Sequence, residues 1–413
     1  MKKQKALLRE LFDVAVAAAS PANCLRTWLP ERPAGRILVV GAGKAAASMS
    51  HELEQAWQGP LTGLVIVPYG YASDCQSIEV IEAAHPIPDA AGVAAAARIL
   101  DSVSGLSADD TVVCVISGGG SSLLCLPIDG VTLAEKRDIT SQLLLSGAAI
   151  NEINCVRKKL SAIKGGKLAA ACAPARVLTL IISDVPGNDI AMVASGPTVS
   201  DASPASEALD ILDRYAVTIS DTVRQSVRSS RPVTITAGDV RILASSDDAI
   251  IASAALAEKR KITPYVLGDL SGDARTLARE HAELAMQIAA GHGPLSPPCV
   301  VLSGGETTVN VRGNGRGGRN GEYALALAIA LNGHPAIHAI ACDTDGIDGN
   351  GDNAGSFVTP DILDRAANAG IDAKQMLERN DSYGFFSATL DLIITGPTGT
   401  NVNDFRALLI SDS

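Results

Sequence analysis

Three times in its N-terminal half the chain runs a short apolar segment into a glycine-bearing turn. Ile37–Val40 leads into Gly41–Ala42–Gly43–Lys44, Thr111–Ser117 into Gly118–Gly119–Gly120, and Val177–Ser183 into Asp184–Val185–Pro186–Gly187. Ala45–Trp57 and Ala90–Val103 read as helices between such runs, and Gly63–Val67 as a further strand. Strands that are apolar throughout must be buried on both faces, and helical crossovers join them in parallel. The alternation predicts an α/β fold with a Rossmann-like, doubly wound parallel sheet.

The 413 residues exceed what one core usually supports, so two domains are expected. After the polar stretch Asp201–Arg231, the runs Arg241–Ser245, Thr263–Leu267, Cys299–Leu302, Thr307–Val311, Ile337–Cys342 and Leu390–Thr395 read as strands. Ala249–Lys261 and Glu322–Leu331 read as helices, and Leu7–Ser20 as an amphipathic helix at the N-terminus. The paired runs around Ser303–Thr308 point to a mixed sheet in a C-terminal α/β domain. The expected division is 1–235 and 236–413.

A net charge of −11 with no basic stripe, and only 3% aromatic residues, argues against a nucleic-acid partner. No apolar run approaches the roughly 20 residues of a membrane span. Met1–Phe12 lacks the apolar core of a signal peptide. The eight cysteines form no C-x-x-C pair and read as free thiols of a cytoplasmic protein. The oligomeric state stays open, a homodimer included.

An acidic protein that binds anions must place its cations locally, and the glycine turns are where it does so. Gly41–Ala42–Gly43–Lys44–Ala45–Ala46 fits the dinucleotide fingerprint G-x-G-x-x-A. The acid that should follow the second strand is absent from Val67–Pro68–Tyr69–Gly70, and Lys44 adds a full charge to the turn. Nor is the turn a Walker loop, since Leu38 and Ala45 stand where Gly and Ser or Thr are required. Ser117, Gly118, Gly119, Gly120 and Ser121 lie at the C-terminal end of an apolar strand, where parallel sheets bind ligands. Gly304, Gly305 and Glu306 repeat the pattern later, and Arg157, Lys158 and Lys164 form a basic cluster. Gly313–Glu322 brings five glycines and Arg316 and Arg319 to the start of a helix. Gly317, Gly318 and Asn320 there complete an expected phosphate site. The acidic runs Ser183–Asp189 and Asp343–Gly349 follow strands and could help hold Mg²⁺.

Together these residues resemble the class II, MOFRL-containing glycerate 2-kinases. The resemblance rests on VGAGKAA (40–46), HPIPD (85–89), ISGGGSS (116–122), NCVRKKLSAIKGGKLA (154–169), SDVPGND (183–189), ASGPT (194–198), LSGGETTV (302–309), GRGGRNGEYAL (315–325), DTDGIDG (343–349) and GPTGTNVND (396–404). These motifs cover nearly the whole chain in order. The resemblance implies a C-terminal domain of MOFRL type, a cleft between the two domains, and ATP-dependent phosphorylation of D-glycerate at its 2-hydroxyl. It maps the family's important lysine and arginine onto Lys44 and Arg319. We expect Mg²⁺ to be held mainly by ATP, with help from Asp184, Asp189, Asp345 or Glu306. The acceptor of the hydroxyl proton is open, with Asp189 our choice. Gly321 stands where the family more often has Gln. Some members are named hydroxypyruvate reductase or tartrate-utilisation protein, so an NAD(P)H-dependent reductase is one alternative and a non-catalytic sugar-acid or nucleotide sensor another.

Overall fold

The computed structural model describes residues 2–29, 32–235 and 238–412. They form two compact units, one of residues 24–243 and one of the residues up to 23 together with those from 244 on. The expected division into 1–235 and 236–413 places the first helix with the other half of the chain.

The 24–243 unit is built on β1 (Ile37–Ala42), β2 (Thr62–Pro68), β3 (Ile78–Ala83), β4 (Thr111–Ile116), β5 (Arg176–Ile182) and β6 (Asp239–Ala244). They lie in the order β3-β2-β1-β4-β5-β6, and the pairings from β3 through β5 are parallel. This is the Rossmann order expected from the alternation. All six residues of β4 are buried, as a central strand covered on both faces requires. The chain winds outward from β1 in one direction and from β4 in the other, which leaves a crevice beyond their C-terminal ends. Register puts Ala42 beside Ile66 and Ile116, and Ile116 beside Ile181. The turns after β1, β4 and β5 are therefore neighbours on one edge.

Arg241–Ser245, read from sequence as the start of a new unit, instead forms β6 and covers the outer side of β5. An unpaired strand edge exposes backbone groups that need partners, and β6 supplies them.

The other unit contains β7 (Thr263–Asp269), β8 (Gly272–Asp273), β9 (Cys299–Gly304), β10 (Thr307–Thr308), β11 (Ile337–Asp343), β12 (Gly355–Val358), β13 (Leu392–Ile393) and β14 (Asp404–Ile410). Its main sheet runs β13-β12-β11-β14-β9-β7 and is mixed, with β7–β9 parallel and the other pairings antiparallel; β8 and β10 form a separate two-stranded ladder. Helix Arg319–Leu331 is buried almost all round, packed on the sheet and on helix Ala274–Ala289. The N-terminal helix, Lys2–Ala18, buries Leu8, Leu11, Phe12 and Ala15 here. Phe12 meets Phe405 at 5.9 Å between ring centroids, and Ser253 Oγ donates to the Leu11 carbonyl at 2.7 Å. Those contacts explain why this helix joins the later part of the chain. Among the described residues, no helix is long and apolar enough to cross a membrane. All eight cysteines are free.

Candidate active site

The turn after β1 is locked to the turn after β4. Lys44 N–H donates to the Gly118 carbonyl at 2.8 Å, and Ala45 N–H to Ser117 Oγ at 2.9 Å. Gly43 N–H donates to the Ile66 carbonyl and Ala46 N–H to Gly43, each at 3.1 Å. In a dinucleotide turn such amides face the pyrophosphate. Here four successive amides are satisfied inside the protein, and the turn carries one charged side chain, the half-buried Lys44. Ser117 is fully buried, so its hydroxyl ties the turns together. Gly43 has φ +141°, and a Cβ there would stand 2.6 Å from the Ser117 carbonyl oxygen. Gly43→Ala should therefore cost roughly 1–3 kcal/mol of stability by overpacking, and lower turnover by displacing Lys44. Urea unfolding and a turnover assay on the purified variant check this.

Beside these turns lies a cavity of about 740 Å³ within the 24–243 unit. His85 and Pro86, after β3, form one wall, and Gly119, Ser121 and Ser122, after β4, another. Lys136 and Arg137 from helix Leu133–Leu145, Arg157 from helix Ile150–Lys159, and Lys164 also line it. The first of these helices starts on a reciprocal capping box between Thr132 and Glu135, just before Lys136.

The cations divide into two groups. Lys159 Nζ pairs with Asp201 at 2.7 Å and Lys158 Nζ lies 4.0 Å from the same carboxylate, so Lys158 is placed away from the cavity. Arg157 and Lys164 face it. Lys164 is 1% exposed, and its ammonium donates to the Ser121 carbonyl at 2.6 Å, Ser121 Oγ at 3.2 Å and the Ala194 carbonyl at 3.4 Å. Ala194, Ser195 and Gly196 all have positive φ, a strained run that this ammonium helps to hold. Ser195 Oγ lies 2.9 Å from Ser121 Oγ and 3.2 Å from Asn154 Oδ1. Burial, with the charges of Lys136 and Arg157, pushes Lys164 well below the usual lysine range. Among the described lining residues Asp138 is the only carboxylate, and it accepts from Gln142 at 2.7 Å. A cavity lined by four cations and one committed acid attracts an anion.

Asp184 is half-buried on the turn after β5. Asp189 is exposed, and its Oδ1 accepts from Ala191 N–H at 2.9 Å.

In the other unit, Arg319 begins the buried helix and meets three carboxylates. Its Nε donates to Asp404 Oδ1 at 2.6 Å, and its two terminal nitrogens reach Asp343 at 2.8 Å and Glu306 at 3.1 Å. Burial alone would lower Arg319, but the charges of Asp404, Asp343 and Glu306 raise it well above its ordinary value. Asp404 also pairs with Arg406 and accepts from Asn320 Nδ2 at 2.7 Å. Burial would raise the Asp404 carboxyl, and the charges of Arg319 and Arg406 hold it below the usual range. Gly304 and Gly305 anchor this network through carbonyls that accept from Arg406 (2.7 Å) and from Asp404 N–H (3.1 Å).

The helix start expected to bind phosphate is occupied by the chain itself. Asn320 and Gly321 N–H donate to the Asp348 carboxylate at 3.0 and 2.8 Å. Burial pushes Asp348 up to about 6 against those two hydrogen bonds. Gly318 packs on Asp348, while Gly317 and Gly321 pack on Ser382, so these glycines make room for side chains. Arg316 lies over the Tyr383 ring at 3.8 Å and 3.6 Å from Asp352. Asp345 is fully buried, with its carboxylate accepting from Ile347 N–H at 2.7 Å.

Lys136, Arg137, Arg406 and the central place of Asp404 escape sequence reading. Only the nearness of His85–Asp89 to a pocket had a local signal, the stiff His-Pro-Ile-Pro run.

A doubly wound α/β unit with a cation-lined cavity at the C-terminal edge of its sheet, joined in one chain to a mixed-sheet α/β unit, defines a class of enzymes that act on small anions. Residues 7–229 match a domain of unknown function, DUF4147, and residues 299–404 match the MOFRL family. The chain is 48% identical to an Agrobacterium vitis protein provisionally named hydroxypyruvate reductase, over 98% of this chain and 94% of that one. It is 36% identical to D-glycerate 2-kinase of Thermotoga maritima, over 98% of each chain. The crystal structure of glycerate kinase from Thermotoga maritima superposes with a TM-score of 0.91, at 36% identity, over 99% of this chain and 100% of that one. The protein belongs to the MOFRL glycerate kinase family.

Proposed function

We propose that the protein transfers the γ-phosphoryl group of ATP to the 2-hydroxyl of D-glycerate, giving 2-phosphoglycerate and ADP. The observation that carries this over a nicotinamide reductase is the turn after β1. Its amides from Gly43 to Ala46 are spent inside the protein, no acid ends β2, and a lysine supplies the charge. That suits a phosphate met by an ammonium, not a pyrophosphate cradled by backbone.

The acceptor enters the cation-lined cavity, whose positive lining attracts its carboxylate. The glycerate 2-oxygen forms a bond to the γ-phosphorus as the bond from that phosphorus to the β–γ bridging oxygen breaks, and ADP leaves with the bond's electron pair. Asp189 is our assignment for the group that takes the hydroxyl proton. Lys44 stabilises the charge on the transferring group, and Arg319 is assigned to the same reaction.

Among the described residues, no cluster of three or more His, Cys, Asp or Glu is placed to hold a metal. Mg²⁺ that arrives on a nucleotide commonly keeps waters and takes only one or two protein carboxylates. Asp184 on the β5 turn would serve as such a ligand. Glu306 is paired with Arg319, and Asp345 is buried in its own loop. Bound there, the ion would neutralise charge on the β and γ oxygens.

Two assays test the assignment. ADP release from ATP should depend on added D-glycerate, and hydroxypyruvate should not oxidise NADH or NADPH at enzymatic rates. Steady nicotinamide oxidation, or glycerate binding without turnover, would overturn it.

A further inference from the structure

We infer that Lys136 is the group that takes the carboxylate of the acceptor acid. Lys136 is 4% exposed and lines the cavity, and its ammonium has no hydrogen-bond partner among the described residues. An unpaired ammonium sealed from water costs several kcal/mol, roughly, unless an anion meets it. Neighbouring Lys164 is committed to Ser121 and Ala194, and so holds the wall in place. Lys136 holds nothing. It is a compact point charge suited to one small carboxylate, and it stands on a different element from the β1 turn that carries Lys44. The inference rests on the kinase reading and adds the residue that selects acids over neutral alcohols.

The charged and titratable groups around Lys136 are Arg157 on helix Ile150–Lys159, Lys164 and Lys167 after that helix, and Cys125 after β4, while His85 lines the same cavity. Arg137 and Asp138 sit on its own helix. Burial, then Arg157, pushes Lys136 down to about 8, with Cys125 opposing. Below that pH the side chain is an ammonium and binds the carboxylate. Above it the proton is lost, and acceptor affinity should fall by about tenfold per pH unit.

The test is Lys136→Met in the full chain, with D-glycerate and ATP varied separately. The Michaelis constant for D-glycerate should rise by about 30-fold, the worth of one charged hydrogen bond, while that for ATP stays within about twofold. The alkaline weakening of D-glycerate near pH 8 should disappear, and the variant should melt no lower than the wild type, because a buried charge is gone. An unchanged constant for D-glycerate overturns the inference, as does a rise confined to ATP, which would put a nucleotide phosphate at Lys136. A wild-type protein that releases no ADP on addition of D-glycerate refutes the kinase reading itself, a result distinct from either. If the variant does not fold, equilibrium binding of D-glycerate to the wild type at about pH 7 and about pH 9.5 decides. Affinity should fall more than about tenfold, and constant affinity overturns the assignment.

Discussion

Lys44→Ala is expected to lower glycerate-dependent ADP release by on the order of 10³-fold, with little change in thermal stability. The asymmetry follows from how the turn is built. Its backbone hydrogen bonds to Gly118, Ser117 and Ile66 are made by main-chain amides and survive the substitution. The helix Ala46–Ala56 that follows is seated by Ala46, Ala47, Met49 and Leu53, none of which changes. What is lost is the one full charge of the turn. A cation aimed at charge that grows during transfer contributes more to the transition state than to the bound substrate, so kcat should fall much further than the Michaelis constants rise. Circular dichroism melts and steady-state kinetics on the same preparation separate the two effects. A variant that retains most of its kcat would remove Lys44 from the reaction.

Arg319→Ala should be costly in two ways. Turnover is expected to fall by on the order of 10³-fold or more, as for other arginines that serve phosphoryl transfer. Stability should also drop, by up to about 3–5 kcal/mol, because the buried Asp404 and Asp343 would lose the guanidinium they share, leaving Asp404 paired with Arg406. Arg319→Lys keeps the charge but cannot reach all three carboxylates at once, so it should restore part of the stability and little of the turnover. Urea unfolding followed alongside activity tests this pair. Full activity in either variant would contradict the assignment, and an unchanged unfolding midpoint in the alanine variant would contradict the ion-pair network.

The glycine turns were legible because short apolar strands and glycines mark the edge of a parallel sheet wherever it folds. Their purpose was less so. Gly43 is needed for the approach of Ser117, and Gly318 and Gly321 for Asp348 and Ser382, contacts set by residues far away in sequence. The anion expected at the start of helix Arg319–Leu331 turns out to include the protein's own Asp348. Strand β14 carries a weak sequence signal, because Asp404 and Arg406 break its apolar run. In the folded chain Asp404 pairs with both Arg406 and Arg319, so a strand with two charges near its start is buried along its whole length. Lys136 could not be found from sequence at all. It stands beside Arg137 and Asp138 in a helix, where a lysine ordinarily reads as solvated. Only the packing of helix Leu133–Leu145 with Ile150–Lys159 and the β4 turn buries its ammonium.

The most direct measurement is proton-coupled phosphorus NMR of the product formed from D-glycerate, ATP and Mg²⁺. Phosphorylation at the 2-hydroxyl places phosphorus next to a carbon that carries a single hydrogen, so the new phosphomonoester signal should be a doublet that grows as ADP forms. A triplet would mean transfer to the terminal hydroxyl. No new phosphomonoester, with hydroxypyruvate instead consuming NADH, would contradict the account.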